Sequence, residues 1–293
     1  MSTLPDQRIG SFAFTVRAHY PHAVMGHMGR AVQQCFLALV DQFNPTLAAE
    51  FHDGTTGTRP YTVSGLFWLG KTQTVRGAVA ADERVWFRIS ALNDAVLAIL
   101  QTIAMTQTNA VIEIDNTAWT VENIDASSGA WAQQSSYMML LTEHAATRPQ
   151  SELRLAFDSP TGFHTKGSTV PFPLPALLFE SLITRRNAFS PVVLPELLHE
   201  FAEQNISIHA FEGATRSILQ KNGHPEVGFT GDVTYTLIRR NPTLHKLNLE
   251  LSRQLEAQYT PLAQAVNLLT DFARFSGVGI KTASGMGVTR RIR

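Results

Sequence analysis

The segment Gly277-Val278-Gly279-Ile280-Lys281-Thr282-Ala283-Ser284-Gly285-Met286-Gly287 limits what this chain can become more than any other stretch. It carries two Gly-x-Gly pairs separated by five residues. Glycine costs backbone entropy and buries no side chain in return. Two pairs so close together imply that something approaches the backbone closely, either another stretch of backbone or a phosphate. Runs of free amide N–H groups form anion-binding nests. The surrounding charge has one sign: Phe272 to Arg293 holds five basic residues, Arg274, Lys281, Arg290, Arg291 and Arg293, and no acidic one. A phosphate-contact surface is the favoured reading, and a flexible turn before a last strand is the plainer one.

The loop follows a well-marked helix, expected from Thr260 to Ser276. Thr260 suits the N-cap and Pro261 the first helical position. Leu262, Val266, Leu269 and Phe272 recur at helical spacing, and Gly277 supplies a left-handed stop. Familiar glycine motifs do not fit. A dinucleotide fingerprint needs a third glycine where Thr282 stands, and a strand rather than a helix before the loop. A phosphate-loop signature needs a glycine before the lysine, where Ile280 stands. A nucleotide-cofactor enzyme is therefore disfavoured, and no cofactor is expected.

With 293 residues, 44% of them hydrophobic, the chain can build two domains. Cys35 is the only cysteine, which excludes an internal disulfide and a cysteine metal site and fits a reducing cytoplasm. Met1 to Gly10 is polar, without a signal pattern, and no apolar run is long enough to span a membrane. The net charge of 0 argues against indiscriminate nucleic-acid binding, though not against a local basic face.

Along the first half, Phe12, Phe14 and Val16 alternate as in a half-buried strand. A helix is expected from Gly26 to Gln42, with Ala31, Val32, Cys35, Phe36, Leu39 and Val40 as its stripe. Asn44-Pro45 breaks it, and a short helical piece runs from Thr46 to Phe51. Strands are expected at Tyr61–Leu69 and Val85–Ser90, a helix at Leu92–Ala104, and paired strands at Val111–Ile114 and Thr117–Ile124. This order is the split βαβ unit of ferredoxin-like folds. The second half restarts with a strand at Leu153–Phe157, then helices at Ala176–Arg186 and Pro191–Gln204. Strands at Ile206–Phe211 and Val227–Ile238 come next, and Val288–Arg293 closes the sheet. The expected architecture is α+β, two tandem ferredoxin-like (βαββαβ, RRM-like) domains, residues 1–148 and 149–293.

Ten histidines are the candidates for proton transfer near neutral pH. His19, His22 and His27 have no recognisable metal spacing, and no metal site is expected. His52 ends a helix and opens a polar loop that closes at Arg59-Pro60, a context common for catalytic residues. A helix-end histidine is also favoured by the helix dipole, a purely structural role. The basic pairs Arg185-Arg186 and Arg239-Arg240 are further candidate contacts for a polyanion, or solvated surface.

The glycine spacing resembles the signature loop of the RAMP superfamily of CRISPR systems, and more narrowly that of the endoribonucleases that process precursor CRISPR RNA. Other segments agree in order. Asn44-Pro45-Thr46-Leu47-Ala48-Ala49-Glu50-Phe51-His52, then Arg59-Pro60-Tyr61-Thr62-Val63-Ser64, resembles the family's catalytic-histidine segment and the strand after it. Phe157-Asp158-Ser159-Pro160-Thr161 and Gly228-Phe229-Thr230-Gly231 resemble strands of its second domain. The resemblance spans nearly the whole chain. It implies His52 as catalytic histidine and Arg59 as the accompanying basic residue. It further implies RNA contacts at Gly277, Gly279, Lys281, Gly285, Gly287, Arg274, Arg290, Arg185 and Arg186. Some members add a catalytic tyrosine on the first long helix; the matching position is about Leu37, and this helix has none.

The resemblance also implies a chemistry without metal. The RNA 2′-hydroxyl attacks the adjacent phosphorus and leaves a 2′,3′-cyclic phosphate and a 5′-hydroxyl. The implied partner is CRISPR repeat RNA or its crRNA product, with room for other effector subunits, in a cytoplasmic monomer or homodimer. A non-catalytic RNA-binding subunit of the same superfamily is the alternative. A ferredoxin-like nucleotide enzyme would need a carboxylate cluster that the sequence does not show.

Overall fold

A computed structural model describes residues 5–24, 26–52, 57–127, 129, 131–165, 167–219 and 225–293, with the side chain of His52 outside that description. The first half runs β1 (Arg8–Ala18), β2 (His22–Val24), α1 (Gly29–Phe43), α2 (Pro45–His52), β3 (Tyr61–Val63), β4 (Phe67–Trp68), β5 (Gly77–Val79) and β6 (Arg84–Ala91). It continues with α3 (Asp94–Thr106), β7 (Val111–Ile114), β8 (Thr117–Asp125), β9 (Gln133–Ser136) and α4 (Tyr137–Ala145). The alternation in β1 puts Phe12, Phe14 and Val16 into one core with the apolar stripes of α1 and α3. The main sheet order is β3-β6-β1-β8-β7.

The second half runs β10 (Glu152–Thr161), β11 (Phe163–Thr165), β12 (Ser168–Val170), α5 (Pro175–Asn187), α6 (Leu197–Gln204), β13 (Ile206–Leu219) and β14 (Pro225–Leu237). Then come α7 (Pro242–Leu247), α8 (Leu249–Ala257), α9 (Tyr259–Ser276), a single 3₁₀ turn (Thr282–Ser284) and β15 (Thr289–Ile292). Its sheet order is β13-β14-β10-β15. Taking β1, β3, β6 and β8 as the repeat strands of the first half, both sheets read second, third, first, fourth. The fold is thus α+β with two tandem ferredoxin-like units. The second core, built on α5, α6 and α9, also takes in Tyr137 and Leu140 of α4.

Three expectations change. The strand expected over Tyr61–Leu69 breaks between β3 and β4 because Ser64 pairs with Gly285 in a parallel bridge, while its hydroxyl accepts the Arg88 N–H at 2.8 Å. The helix expected from Pro191 begins at Leu197, because Asn187 and Ser190 side chains accept the Leu194 and Val192 N–H groups and hold the chain in a turn. Thr260 is not the N-cap of α9; the helix begins one residue before it, with Gln258 at the cap and no side-chain capping bond.

Gly277 stops α9 at φ 59°, and Gly279, Gly285 and Gly287 also have positive φ. A Cβ on Gly279 would lie 2.2 Å from the Gly162 carbonyl oxygen, and one on Gly287 would lie 2.0 Å from that of Val278. The approaching group is therefore the chain's own backbone. Gly279→Ala and Gly287→Ala are expected to destabilise the fold by at least about 1–3 kcal/mol, the range for strained backbone alone. A fall in the urea midpoint with unchanged slope is the check; an unchanged midpoint would contradict this account.

Candidate active site

The glycine loop is a junction of the two halves. From the first half, Gln33 of α1 accepts from the Ser284 hydroxyl at 2.8 Å, and the Thr62 hydroxyl donates to the Phe275 carbonyl at 2.9 Å. Gly29, at the start of α1, is needed as glycine: a Cβ there would sit 2.2 Å from the Ser284 carbonyl oxygen. From the second half, Ser181 accepts the Gly279 N–H at 2.9 Å, and Gly162 accepts the Ile280 N–H at 3.0 Å. The amides of Gly277, Val278, Ser284, Met286 and Gly287 are likewise bonded to backbone carbonyls. Most of the loop's N–H groups are thus engaged inside the protein; of the stretch Lys281 to Ala283, Lys281 is exposed, Thr282 is buried and Ala283 packs partly buried on the first core.

That part lines a cavity of about 400 Å³ together with Arg59, Arg185, His164, Glu180 and Ser181. Arg59 reaches it from the loop after α2. Asn44 caps α2 by accepting the Leu47 N–H at 3.0 Å, and at the other end the Arg59 guanidinium donates to the Phe51 carbonyl. That carbonyl is one of the unpaired acceptors of a helix end. Arg59 is thereby fixed beside the residue that ends α2, His52, whose side chain lies outside the described residues.

The other cations are less free than their sequence suggests. Arg185 donates to Thr282 Oγ1 at 2.6 Å and to the Gly279 carbonyl at 2.9 Å, so it clamps the loop while lining the cavity. Burial pushes its pKa down to about 10, which leaves it charged at neutral pH. Lys281, at φ 54°, pairs with Glu226 at 2.5 Å. Arg290 donates to Asp158 at 3.1 Å, and Arg274 to Gln133. Arg186, expected as an RNA contact, is a correction: it is fully buried, donates to the Val192 carbonyl at 2.6 Å and lies over the Tyr137 ring at 5.8 Å. A helix turns about 100° per residue, so Arg185 and Arg186 cannot share a face. The structure brings Arg59, Arg185, Lys281 and Gly279 together at one cavity and holds Arg274 and Arg290 elsewhere, between the two sheets.

The sequence reading overlooked His164 and Ser181. His164 lies in β11, two residues after the Gly162 whose carbonyl Gly279 packs on, a contact that only the structure supplies. Leu37, the position of the family's extra tyrosine, is partly buried against the first core.

His27 is the counter-example to a surface histidine. Its Nδ1 accepts the Gly29 N–H at 3.1 Å, and it sits against Gly65 and Gly285. Burial pushes its pKa from 6.5 down to about 4, against the opposing pull of a hydrogen bond to the Gly285 backbone. The ring is neutral in the folded protein. Because the folded pKa is the lower one, its stabilisation is fully present above pH 6.5 and drains away as pH falls toward 4. The full displacement corresponds to about 3 kcal/mol. Stability measured by urea titration across this window is expected to fall less steeply in His27→Gln; equal slopes would show that His27 is not the buried neutral group.

Residues 155–289 match the protein family described as CRISPR-associated endoribonuclease Cas6. Two curated proteins of that name, from Mycobacterium tuberculosis strains CDC 1551 and H37Rv, are 32% identical over 147 residues, 49% of this chain. The aligned region spans 40% of each relative's length. Among solved structures, a Cas6 (TTHA0078) product complex superposes with a TM-score of 0.73 at 24% identity, covering 98% of this chain and 100% of that one. Thermus thermophilus Cas6 (TTHB231) gives a TM-score of 0.68 at 22% identity, with 99% and 100% covered. Residues 155–289 match the Cas6 family, and the chain along nearly its whole length has the fold of Cas6 proteins.

Proposed function

We propose that this protein binds CRISPR repeat RNA and cuts precursor crRNA within each repeat. In this reading residues 1–148 form the domain that carries the catalytic histidine, and residues 149–293 the domain that carries the glycine-rich loop. One observation carries the proposal. Arg59, anchored on the end of the helix that His52 closes, faces Lys281 and Arg185 of the opposite domain across a single cavity. A phosphodiester entering there meets cations from both sides, and the histidine's helix end lies at its edge.

The chemistry follows from what RNA supplies. Its 2′-hydroxyl is the nucleophile, so the protein must remove that proton, protonate the departing 5′ oxygen and stabilise a more negative phosphorane. His52 serves as general base or acid, a role worth roughly 10²–10⁴-fold. The Arg59 guanidinium is positioned for the phosphoryl oxygens. Lys281, partly exposed in its pair with Glu226, is within the same cavity and can exchange that partner for a phosphate. Arg185 holds the loop in place and adds a second fixed charge. The products are a 2′,3′-cyclic phosphate and a 5′-hydroxyl, and the mechanism calls on no metal ion. The product crRNA, and through it other effector subunits, are the proposed partners.

Cleavage of a CRISPR repeat RNA from the source genome, in EDTA, is the test. The wild type is expected to make one cut with a 2′,3′-cyclic phosphate end. His52→Ala is expected to lower the single-turnover rate about 10²–10⁴-fold with binding retained. Arg59→Ala is expected to lower it about 10²–10³-fold. Tight binding without a cut by the wild type would identify instead a non-catalytic RNA-binding subunit. A cut that survives in His52→Ala would move the catalytic role to another residue, with His164 the imidazole to change next.

A further inference from the structure

Two proton transfers are needed to cut RNA at its 2′-hydroxyl, and they fall on opposite sides of the phosphorus. The attacking 2′ oxygen and the departing 5′ oxygen lie roughly in line through it. An imidazole placed beside one of them reaches the other only by moving. His52 stands at the end of α2, and Arg59, in the loop that follows, lines one side of the cavity of about 400 Å³. The other side is built from α5, the glycine loop and the start of β11. A group on that side is needed for the second proton.

Four ionisable side chains line it: His164, Glu180, Arg185 and Lys281. Arg185 is bonded to Thr282 and to the Gly279 carbonyl, and Lys281 is paired with Glu226. Guanidinium and ammonium groups also hold their protons far more tightly than imidazole near neutral pH. A carboxylate only accepts hydrogen bonds. Histidine is the side chain that exchanges a proton in this range.

The placement of His164 is not that of a loose surface residue. The Gly162 carbonyl accepts the Ile280 N–H at 3.0 Å, and a Cβ on Gly279 would lie 2.2 Å from the same oxygen. The start of β11 is therefore pressed onto the glycine loop. Phe163, the residue between, is buried in the second core. Across the β11–β12 ribbon His164 stands opposite Thr169, with its Nδ1 3.2 Å from Thr169 Oγ1. In the imidazolium form Nδ1–H donates to that hydroxyl. Nε2 has no hydrogen-bond partner among the described residues, and the side chain borders the cavity.

We propose that His164 is a catalytic residue, the general acid that protonates the departing 5′ oxygen, with His52 as the general base. The 2′-hydroxyl gives its proton to His52 as the bond from the 2′ oxygen to phosphorus forms. The bond from phosphorus to the 5′ oxygen breaks, its electron pair stays on that oxygen, and the oxygen takes the proton from His164 Nε2. Exchange with water then returns both rings to their starting states. The assignment rests on the reading of this chain as a repeat-RNA endonuclease, and it adds the second proton-transfer group to that site.

The test is single-turnover cleavage of two repeat RNAs by the intact protein. One is ordinary RNA; the other carries sulfur in place of the 5′ oxygen at the cut. A thiolate leaves without taking a proton, so the second substrate has no need of a general acid. On ordinary RNA, His164→Ala is expected to lower the rate about 10²–10⁴-fold with binding retained. It is also expected to lose the fall in rate on the alkaline side of the pH profile. On the sulfur substrate most of the loss is restored, whereas His52→Ala stays slow on both. His164→Gln keeps a hydrogen-bonding group opposite Thr169 but has no proton to give, and is expected to behave as His164→Ala. A wild-type rate in His164→Ala on ordinary RNA would overturn the proposal. So would an equal loss on both substrates, or sulfur rescue of His52→Ala in its place. A wild-type cut that depends on His52 but not on His164 removes this assignment alone. No cut by the wild type removes the endonuclease reading and this assignment with it.

Discussion

Backbone against backbone at the glycine loop is the contact on which the rest depends. Gly285 packs on Gly29 and His27 of the first half, and Gly279 packs on Gly162 of the second. At these distances no Cβ fits, so the two ferredoxin-like units meet through atoms that cannot rotate away. Every loop hydrogen bond adds to the same constraint. Two hydroxyls bond across the junction, Thr62 to the Phe275 carbonyl and Ser284 to the Gln33 side chain, and Ser181 holds the loop from within the second half. The cavity next to the loop inherits this rigidity, because Arg185 is bonded to the loop itself and Arg59 to the end of α2.

Much of this was legible in the sequence, for reasons that can be named. The alternation of Phe12, Phe14 and Val16 and the stripe along α1 are local patterns, and they set both element types and the first core. Four glycines in two pairs announced a close approach; what they could not announce was the partner. Of the two possibilities, backbone or phosphate, most of the loop's amides answer to backbone. Arg185 and Arg186 look equivalent as a dipeptide. Yet Leu178, Leu182 and Arg186 recur every four residues, so Arg186 belongs to the buried stripe of α5 and Arg185 does not. The information was present in the spacing but hidden by the expectation that a charge lies outside.

His27 shows what sequence cannot carry. Its neighbours in the chain are Gly26 and the buried Met28, but no local pattern sets what the imidazole itself packs on. The burial comes from Gly285, more than two hundred residues away, whose missing side chain makes room for the imidazole. The break in the strand after Val63 has the same origin, since Ser64, still bonded to Arg88 of β6, also bridges Gly285. Errors of this kind are concentrated where the halves touch, because local propensity has no access to contacts between distant segments.

The balance of charge follows from the same geometry. The one-signed tail seen in sequence is largely answered in space. Lys281 has Glu226, Arg290 has Asp158, and Arg291 and Arg293 both reach Asp271. A basic stretch is therefore not a basic surface, and the overall net charge of 0 agrees with that. A chain of this kind cannot hold RNA by diffuse attraction, which falls steeply with salt. In the proposed role, affinity would come from a few fixed groups at defined places, guanidinium groups held by backbone carbonyls, as in Arg59 and Arg185. Such groups lose little freedom when a ligand arrives. They also discriminate by position, so a phosphate or base displaced from the cavity gains little from the rest of the surface. The rigid glycine junction is what makes this economy workable, because it keeps cations from two domains at one separation.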